Sequence, residues 1–310
     1  MTQTVLVTGS SGFVGRPLVA ALAAAGHAVI AASRLPRAGA FPDRVRLVHL
    51  PDLAQAFDWA PLLAGVSHVV HVAGVAHQGS AVSDAIYDRV NHQAVADLAT
   101  AAAKAGVARL IFISSIGSQS GAAAKEVLSE ADEPRPTTAY GRSKLAAEVA
   151  VRGSGIAHTI LRPVLMYGPD APGNMGALVR LAATPWPLPF AGLTGRRSLL
   201  AVDNLISAIE FAMQSPAATN ETYVIADTEA LALPDIIRVL RAAIDRPLRL
   251  FAVPPPLLAN GLRLVGHEEL WRRLGGSLVA SSAKLIAAGW RPVVATPDGL
   301  TAMMRAGARR

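Results

Sequence analysis

The first fifteen residues constrain the fold of this chain more than any other segment. Thr4-Val5-Leu6-Val7 is an apolar, β-branched run of strand length, and Thr8-Gly9-Ser10-Ser11-Gly12-Phe13-Val14-Gly15 follows it directly. The run from Pro17 to Leu22 then has the composition of a helix. A strand, a glycine-rich turn and a helix start in this order form a cradle for phosphate. The glycines let the backbone approach a pyrophosphate, and the helix N-terminus offers free N–H groups. A merely structural turn is the alternative, but the strand–turn–helix context favours dinucleotide binding.

Strand-like and helical runs alternate through the first half of the chain. After the first strand, strand-like runs occur at 27–32, 45–50, 67–72, 110–114 and 158–161, with helical patterns at 90–105 and 141–152. Such alternation predicts right-handed βαβ units and a doubly wound parallel sheet, which is a Rossmann-type α/β fold. We expect a further strand at 222–226 to return to the same sheet.

The composition changes after residue 165, where prolines and glycines become frequent. We predict a Rossmann domain over 1–165, with 198–227 returning to it. A smaller, C-terminal substrate-binding domain is then formed by 166–197 and 228–310. This second unit should lie over the carboxyl edge of the strands, because open α/β sheets bind their ligands there.

Composition excludes several classes of protein. Of 310 residues, 52% are hydrophobic and 16% are charged, so the chain can bury a full core and is not disordered. The absence of cysteine excludes disulfides, a thiolate nucleophile and a cysteine metal site. No apolar run has the length of a bilayer span, and the chain enters its first strand without room for a signal peptide. We therefore expect a cytoplasmic protein with no membrane partner.

The formal net charge is +7, almost entirely through arginine. The arginines are scattered, without a basic run interleaved with aromatic residues, so the pattern does not favour nucleic-acid binding. An ordinary basic surface explains the charge, and attraction of anionic small ligands such as nucleotides is the functional alternative. His68, His71 and His77 lie close in sequence. Without cysteines or an H-E-x-x-H pattern, however, we expect no metal site.

A second strong pattern is Tyr140-Gly141-Arg142-Ser143-Lys144. A tyrosine and a lysine four residues apart on a helix project from one face. A neighbouring ammonium favours the phenolate and so lowers the pKa of the tyrosine, which suits it to general acid–base work. Ser115 ends the strand before this helix, where its hydroxyl could hydrogen-bond the oxygen on which Tyr140 acts. The alternative is a serine that caps its own turn.

Together these motifs resemble the extended short-chain dehydrogenase/reductase family, the group of nucleotide-sugar epimerases, dehydratases and reductases. The resemblance spans nearly the whole chain, and its motifs occur in the family's order. The matching segments are the glycine turn 8–15, Asp52-Leu53, Val72-Ala73-Gly74, Ser115 with Tyr140 and Lys144, 161–169, 197–204, 282–284 and 289–292.

The resemblance implies a role for each matching residue. Ser115, Tyr140 and Lys144 would be catalytic. The residues that would hold NADP or NAD are Gly9, Ser11, Gly12, Phe13, Val14, Gly15, Ser33, Arg34, Asp52, Leu53, Val72, Ala73, Gly74, Tyr140, Lys144 and Pro163. His77, Asn174 and Arg197 would contact the substrate, with Arg197 at the diphosphate of a sugar nucleotide. His77 could instead be a solvated loop residue, Arg196 could take the place of Arg197, and a homodimer stays open.

The chain departs from the family's pattern at three places. Ser33 and Arg34 stand where NAD-using members carry an acid at the end of the second strand, and this favours NADP, since an arginine can pair with a 2′-phosphate. Arg34 could also stack on adenine or face water. Ile116 and Gly117 stand where sugar dehydratases place an acid pair, so dehydration is disfavoured. The polar loop 117–121 is longer than in many epimerases, and we expect it to reshape the sugar pocket.

These observations predict hydride transfer at a carbon of a nucleotide sugar, with C4 of a UDP-sugar as the preferred position. A 4-epimerase and a 4-ketoreductase would use the same residues. A reductase of a non-nucleotide carbonyl and a non-catalytic NAD(P) sensor are the other two hypotheses. The sensor is disfavoured, because a sensor has no need to keep the Ser, Tyr and Lys set.

Overall fold

A parallel sheet of seven strands forms the centre of the computed structural model, which describes residues 2–36, 41, 44–76, 82–264 and 276–308. The strands are β1 (Thr4–Thr8), β2 (Ala28–Ser33), β3 (Val45–His49), β4 (His68–His71), β5 (Arg109–Ile113), β6 (His158–Pro163) and β9 (Glu221–Ile225). Their order is β3-β2-β1-β4-β5-β6-β9. The predicted Rossmann-type sheet is therefore confirmed. The chain reverses its direction of winding between β1 and β4, and sheets of this kind bind ligands at such a point.

Eleven α-helices lie within the described part of the chain. They are α1 (Gly15–Ala24), α2 (Ala60–Leu63), α3 (Asp84–Asp88), α4 (Ala94–Lys104), α5 (Ala139–Gly153), α6 (Gly173–Ala182), α7 (Val202–Gln214), α8 (Leu233–Ala242), α9 (Pro255–Leu264), α10 (Ala283–Ala287) and α11 (Thr296–Ala308). A π-helical segment, Arg89–Gln93, joins α3 to α4. None of the helices described is long and apolar enough to cross a membrane.

The sheet is buried on both faces, as its nearly continuous apolar strands require. Because successive side chains of a strand point to opposite faces, Val5 and Val7 of β1 pack in one cluster with residues of α1 and α7. Leu6, between them, packs in the opposite cluster with residues of α4 and α5. The helices thus cover the sheet completely, and a ligand can approach only at its edges.

A smaller three-stranded sheet lies after β6. It contains β7 (Leu165–Tyr167), β8 (Arg196–Ala201) and β10 (Ala230–Ala232), with β8 in the middle. A third apolar cluster joins this sheet to α6, α8 and α11. The segment 198–227 supplies α7 and β9 to the main sheet, while the start of the segment lies in the smaller sheet. The division into two domains stays a prediction.

Candidate active site

The glycine turn after β1 packs so closely that a Cβ at Gly9 or Gly15 would collide with the backbone. Gly9 has φ +73, and a Cβ on it would lie 2.8 Å from the backbone nitrogen of Ala73. A Cβ on Gly15 would lie 2.1 Å from the carbonyl oxygen of Gly9. Helix α1 begins there, and Val14 at its start provides no side-chain cap. The first N–H groups of α1 therefore face a close turn of bare backbone, which fits the pyrophosphate of a dinucleotide.

The loop after β4 is held against this turn by buried polar groups. The backbone N–H of Ala73 donates to Thr8 Oγ1 at 3.3 Å, and the same oxygen lies 2.9 Å from Nδ1 of His71. Burial, followed by the nearby Lys144 charge, lowers the pKa of His71 to about 3, so this imidazole is neutral at physiological pH. The two loops at the switch point consequently form one rigid unit.

Asn91 fixes the same loop from the other side, and our sequence analysis missed it. Its Oδ1 accepts from the Val75 N–H at 2.8 Å, and its Nδ2 donates to the Val75 carbonyl at 3.0 Å. Asn91 lies in the π-helical segment and is 1% exposed. In the sequence Asn91 stands beside His92 and Gln93, so the local pattern did not distinguish it. The π-helical segment itself is a signal of the structure, since π-bulges often mark functional sites.

The residues predicted to hold the adenosine end lie at the neighbouring strand ends. Ser33 ends β2 and is buried, whereas Arg34, immediately after it, is exposed. Asp52 follows β3 and is exposed, and its Oδ1 accepts from the Ala54 N–H at 3.0 Å. Leu53 is buried. These groups lie along the carboxyl edge that carries the glycine turn, because β2 and β3 are parallel to β1.

The catalytic candidates meet where α5 approaches the turn after β5. Thr138 caps α5 by accepting from the Gly141 N–H at 3.0 Å, and this places Tyr140 in the first turn of the helix. A Cβ on Gly141 would lie 2.1 Å from the carbonyl oxygen of Gly117, so only glycine allows this approach. Ser115 Oγ accepts from the Gly117 N–H at 3.0 Å and also forms a hydrogen bond with Tyr140. Two hydroxyl groups therefore face the same small space.

The electrostatics of Tyr140 differ from our expectation. Burial raises the pKa of Tyr140 above its ordinary value, and the hydrogen bond with Ser115 lowers it only in part. We expected Lys144 to lower this pKa. The dominant effect is instead the loss of solvent around the phenol, which favours its neutral form. The structure thus presents Tyr140 as a protonated phenol, ready to act as an acid.

Lys144 lies one turn further along α5 and is buried. Its Nζ donates to the Ile113 carbonyl at 2.9 Å and lies 4.9 Å from the centre of the Phe112 ring. Burial lowers the pKa of Lys144 to about 8, and the charge of Glu148 acts in the opposite direction. A Cβ on Gly74 would lie 3.8 Å from Nζ. Lys144 therefore stands between the catalytic helix and the loop after β4.

A buried carboxylate that was not among the predicted site residues supports the catalytic candidates. Glu148 Oε1 accepts from Ser114 Oγ at 2.6 Å, from Ser118 Oγ at 2.8 Å and from Arg162 Nε at 2.9 Å. Burial alone would raise the pKa of Glu148, but the hydrogen bonds and charge of Arg162, with the two serines, lower it. Ser118 Oγ also donates to the Ser115 carbonyl at 2.8 Å. Glu148 thus ties α5 to the turn that carries Ser115.

The predicted substrate residues lie on the smaller sheet and its neighbours. Arg197, in β8, is partly buried, and its Nη1 donates to the Ala122 carbonyl at 3.1 Å, in the polar loop that follows Ser115. The guanidinium of Arg196 donates instead to the Ala230 carbonyl. Asn174 is exposed in the first turn of α6. His77 lies outside the described residues.

Comparison with known proteins gives relatives with two kinds of activity. A UDP-glucose 4-epimerase from Vibrio cholerae is 30% identical over 311 residues, which cover 96% of this chain and 94% of that protein. A 3-diazoavenalumate denitrifying reductase from a Streptomyces species is 33% identical over 312 residues, covering 93% and 95%. Among solved structures, MoeE5 in complex with UDP-glucuronic acid and NAD has a TM-score of 0.78 and 25% identity, with 99% of both chains covered.

The protein is an NAD(P)-dependent enzyme of the extended short-chain dehydrogenase/reductase type, as its fold, its glycine turn and its catalytic candidates indicate. The family model described as the NAD dependent epimerase/dehydratase family matches residues 5–226. The chain therefore belongs to that family, and the resemblance noted from its sequence is confirmed.

Proposed function

We propose that this enzyme moves hydride and proton at C4 of a UDP-sugar and that it is a 4-epimerase. The observation that carries the proposal is the hydrogen-bonded pair of Ser115 and Tyr140, with the Lys144 cation on the next turn of α5. The Vibrio cholerae relative and the UDP-glucuronic acid bound to MoeE5 support a UDP-sugar as the substrate.

A bound nicotinamide cofactor would supply reversible hydride transfer at the sugar carbon. As the carbonyl is reduced, the neutral phenol of Tyr140 gives its proton to the C4 oxygen and becomes a phenolate. In the opposite direction, the phenolate takes the C4 hydroxyl proton as the carbonyl forms. Ser115 donates to the same oxygen, which holds the carbonyl in place. The Lys144 cation stabilises the phenolate form against the effect of burial. In an epimerase the keto sugar turns over in the pocket, so that the hydride returns to its other face.

The residues that would hold the cofactor fit a dinucleotide. The turn from Gly9 to Gly15 would take the pyrophosphate, and Asp52 with Leu53 would contact the adenine. Arg34 is exposed directly after β2, and no acidic residue stands beside it in the sequence. We propose on this ground a preference for NADP over NAD, because a guanidinium binds a phosphate with charge-assisted hydrogen bonds.

We place substrate binding on the smaller sheet and its neighbours. Arg197 would pair with the diphosphate, and Asn174 and His77 would contact the sugar nucleotide. The contact of Arg197 with the Ala122 carbonyl, in the segment that follows Ser115, supports this placement. A homodimer, a cytoplasmic location and the division at residue 165 stay predictions.

Reduction of a different carbonyl is the second candidate function. Ser33 and Arg34 favour an exchangeable NADPH, which a reductase needs at each turnover, and the Streptomyces relative is a reductase. The two candidates can be separated by mass spectrometry of ligands released from freshly purified protein. Retained NAD or NADP together with a UDP-sugar indicates the epimerase, and an empty site that takes NADPH indicates the reductase.

The test of the proposed chemistry is the variant Tyr140→Phe. Interconversion of UDP-glucose and UDP-galactose should fall by about 10²–10⁴-fold, the usual contribution of a general acid–base group. The control is Tyr87→Phe, because the Tyr87 ring packs 5.9 Å from that of Tyr140 and its hydroxyl donates to the Ala76 carbonyl. Equal turnover in wild type and Tyr140→Phe would rule out the assignment. If UDP gives no thermal shift at millimolar concentration, the nucleotide-sugar substrate is wrong and the second candidate leads.

A further inference from the structure

Large apolar side chains are exposed together on one part of the C-terminal half. Trp186 is 70% exposed, Phe251 47% and Leu257 62%, and Leu248 lies at 36%. With Arg249, these residues form what we call the basic apolar face. The backbone bridge between Leu188 and Leu250 brings the segments of Trp186 and Phe251 side by side. Exposed apolar residues grouped in this way are typical of an interaction site.

Buried hydrogen bonds fix the backbone beneath this face. The Leu188 N–H donates to the Arg249 carbonyl at 2.9 Å, and the Phe251 N–H donates back to Leu188 at 3.1 Å. Beneath them Arg241, 1% exposed, donates to the Trp186 carbonyl at 2.7 Å and to the Arg249 carbonyl at 3.3 Å. These hydrogen bonds therefore fix the backbone from which the exposed apolar side chains project.

Two stretches of the chain that contribute to the face, 171–202 and 246–267, carry arginines and no acidic residue. The arginines in these two stretches are Arg180, Arg196, Arg197, Arg246, Arg249 and Arg263. Arg246 and Arg249 are close enough to Arg241 for their charges to lower its pKa, after the larger effect of burial. A partner for this face must be apolar and negatively charged.

We propose that the basic apolar face docks on the surface of an anionic phospholipid bilayer. Tryptophan is enriched at the headgroup level of membranes, where an apolar ring and a polar N–H are both accommodated. Arginines beside it gain from the negative potential of the leaflet. An interfacial site of this kind needs no spanning helix. Our expectation of no membrane partner rested on the lack of a spanning run and of a signal peptide, neither of which bears on a docking surface, and this proposal replaces it for this face.

The proposal is tested by co-sedimentation of the full chain with vesicles. Wild type should pellet with equimolar phosphatidylcholine and phosphatidylglycerol, should stay in solution with phosphatidylcholine alone, and should be released as salt is raised. Arg246→Gln with Arg249→Gln should weaken partitioning about thirtyfold, since each surface arginine contributes about 1 kcal/mol. Trp186→Ser with Phe251→Ser should weaken it at least about tenfold through lost apolar burial.

Two control variants test whether binding depends on this face or on the overall charge and hydrophobicity of the protein. The double variant Arg46→Gln with Arg135→Gln removes the same amount of positive charge as the arginine variant of the face, but at exposed positions elsewhere. Val127→Ser with Val149→Ser removes exposed apolar residues of 56% and 61% exposure. Both controls should bind vesicles as wild type does. If the aromatic variant fails to fold, the arginine variant alone decides the test.

Two results would overturn the proposal. The first is that wild type binds both kinds of vesicle equally, or that the control variants lose as much vesicle binding as the variants of the face. The second is a wild-type dimer in size-exclusion chromatography that Trp186→Ser with Phe251→Ser converts to a monomer, which would assign the face to a second copy of the chain. Vesicle binding is measured without substrate, so its failure leaves the proposed activity untouched.

Discussion

Replacing Glu148 with glutamine should destabilise the protein more than any exposed charge substitution. Glutamine keeps the size of the side chain but leaves the Arg162 guanidinium, 3% exposed, as a buried cation without its counter-charge. Removing one partner of a buried pair in this way costs about 3–5 kcal/mol. Two serine hydroxyls also lose a charged acceptor, at about 1 kcal/mol or more each, although these terms are not additive with the first.

The matched control is Arg152→Ala. Arg152 also donates to Glu148, at 2.9 Å, but its side chain is 39% exposed, so the pair contributes only about 0–1 kcal/mol. Urea unfolding of wild type and both variants gives the two free-energy changes by linear extrapolation. A loss below about 1 kcal/mol for Glu148→Gln, or equal losses for the two variants, would refute the reasoning.

The same variant has a defined pH dependence. The pKa of Glu148 is lowered in the folded protein, so its stabilising effect is present above pH 4.5 and is lost as pH falls through the lower folded-state value. Glu148→Gln should lack this loss. Glu148 also raises the pKa of Lys144 against the larger effect of burial, which sets it at about 8. In the variant, the fall of kcat/KM at alkaline pH should begin at a lower pH, because the Lys144 proton is lost earlier.

Three further substitutions test the cofactor, substrate and packing assignments. Arg34→Ala should weaken NADPH by about 1.5–3 kcal/mol in titration calorimetry and leave NADH little changed, whereas equal losses would indicate adenine stacking. Arg197→Ala should raise KM for UDP-sugars at least tenfold, which needs only about 1.4 kcal/mol, and unchanged kinetics would remove it from the diphosphate site. Gly141→Ala should cost about 1–3 kcal/mol in unfolding and reduce kcat, because its Cβ would collide with the Gly117 carbonyl, while Gly153→Ala, with nothing within 4 Å, should do neither.

The main sheet could be predicted because local sequence and tertiary environment agree there. The seven strands are β-branched or apolar runs, and each observed strand overlaps its predicted one. The short strands β7 and β10 have three residues each, too few for a periodicity to be recognised. Their pairing depends on β8, which is distant in sequence from both.

The buried polar groups of the site were much harder to predict. Asn91 and Glu148 look in sequence like polar residues on the solvent faces of helices. Their burial depends on partners that are distant in the sequence. Asn91 bonds to Val75, 16 residues away, and Glu148 bonds to Arg162, 14 residues away. The direction of the pKa shift of Tyr140 was predicted wrongly for the same reason. The spacing between Tyr140 and Lys144 does not show that the phenol is buried away from solvent.

Gly117 connects the packing of the site to its chemistry. Its carbonyl oxygen is the group that α5 approaches through Gly141, and a Cβ on Gly117 would lie 3.3 Å from Ser115 Oγ and 3.6 Å from Cε1 of Tyr140. A side chain at this position would therefore project beside Ser115 Oγ and the ring of Tyr140. An acid there would be placed to remove a proton, as elimination of water requires. Glycine leaves these two candidate residues without such an acid, and this agrees with the proposed proton transfer at a single oxygen.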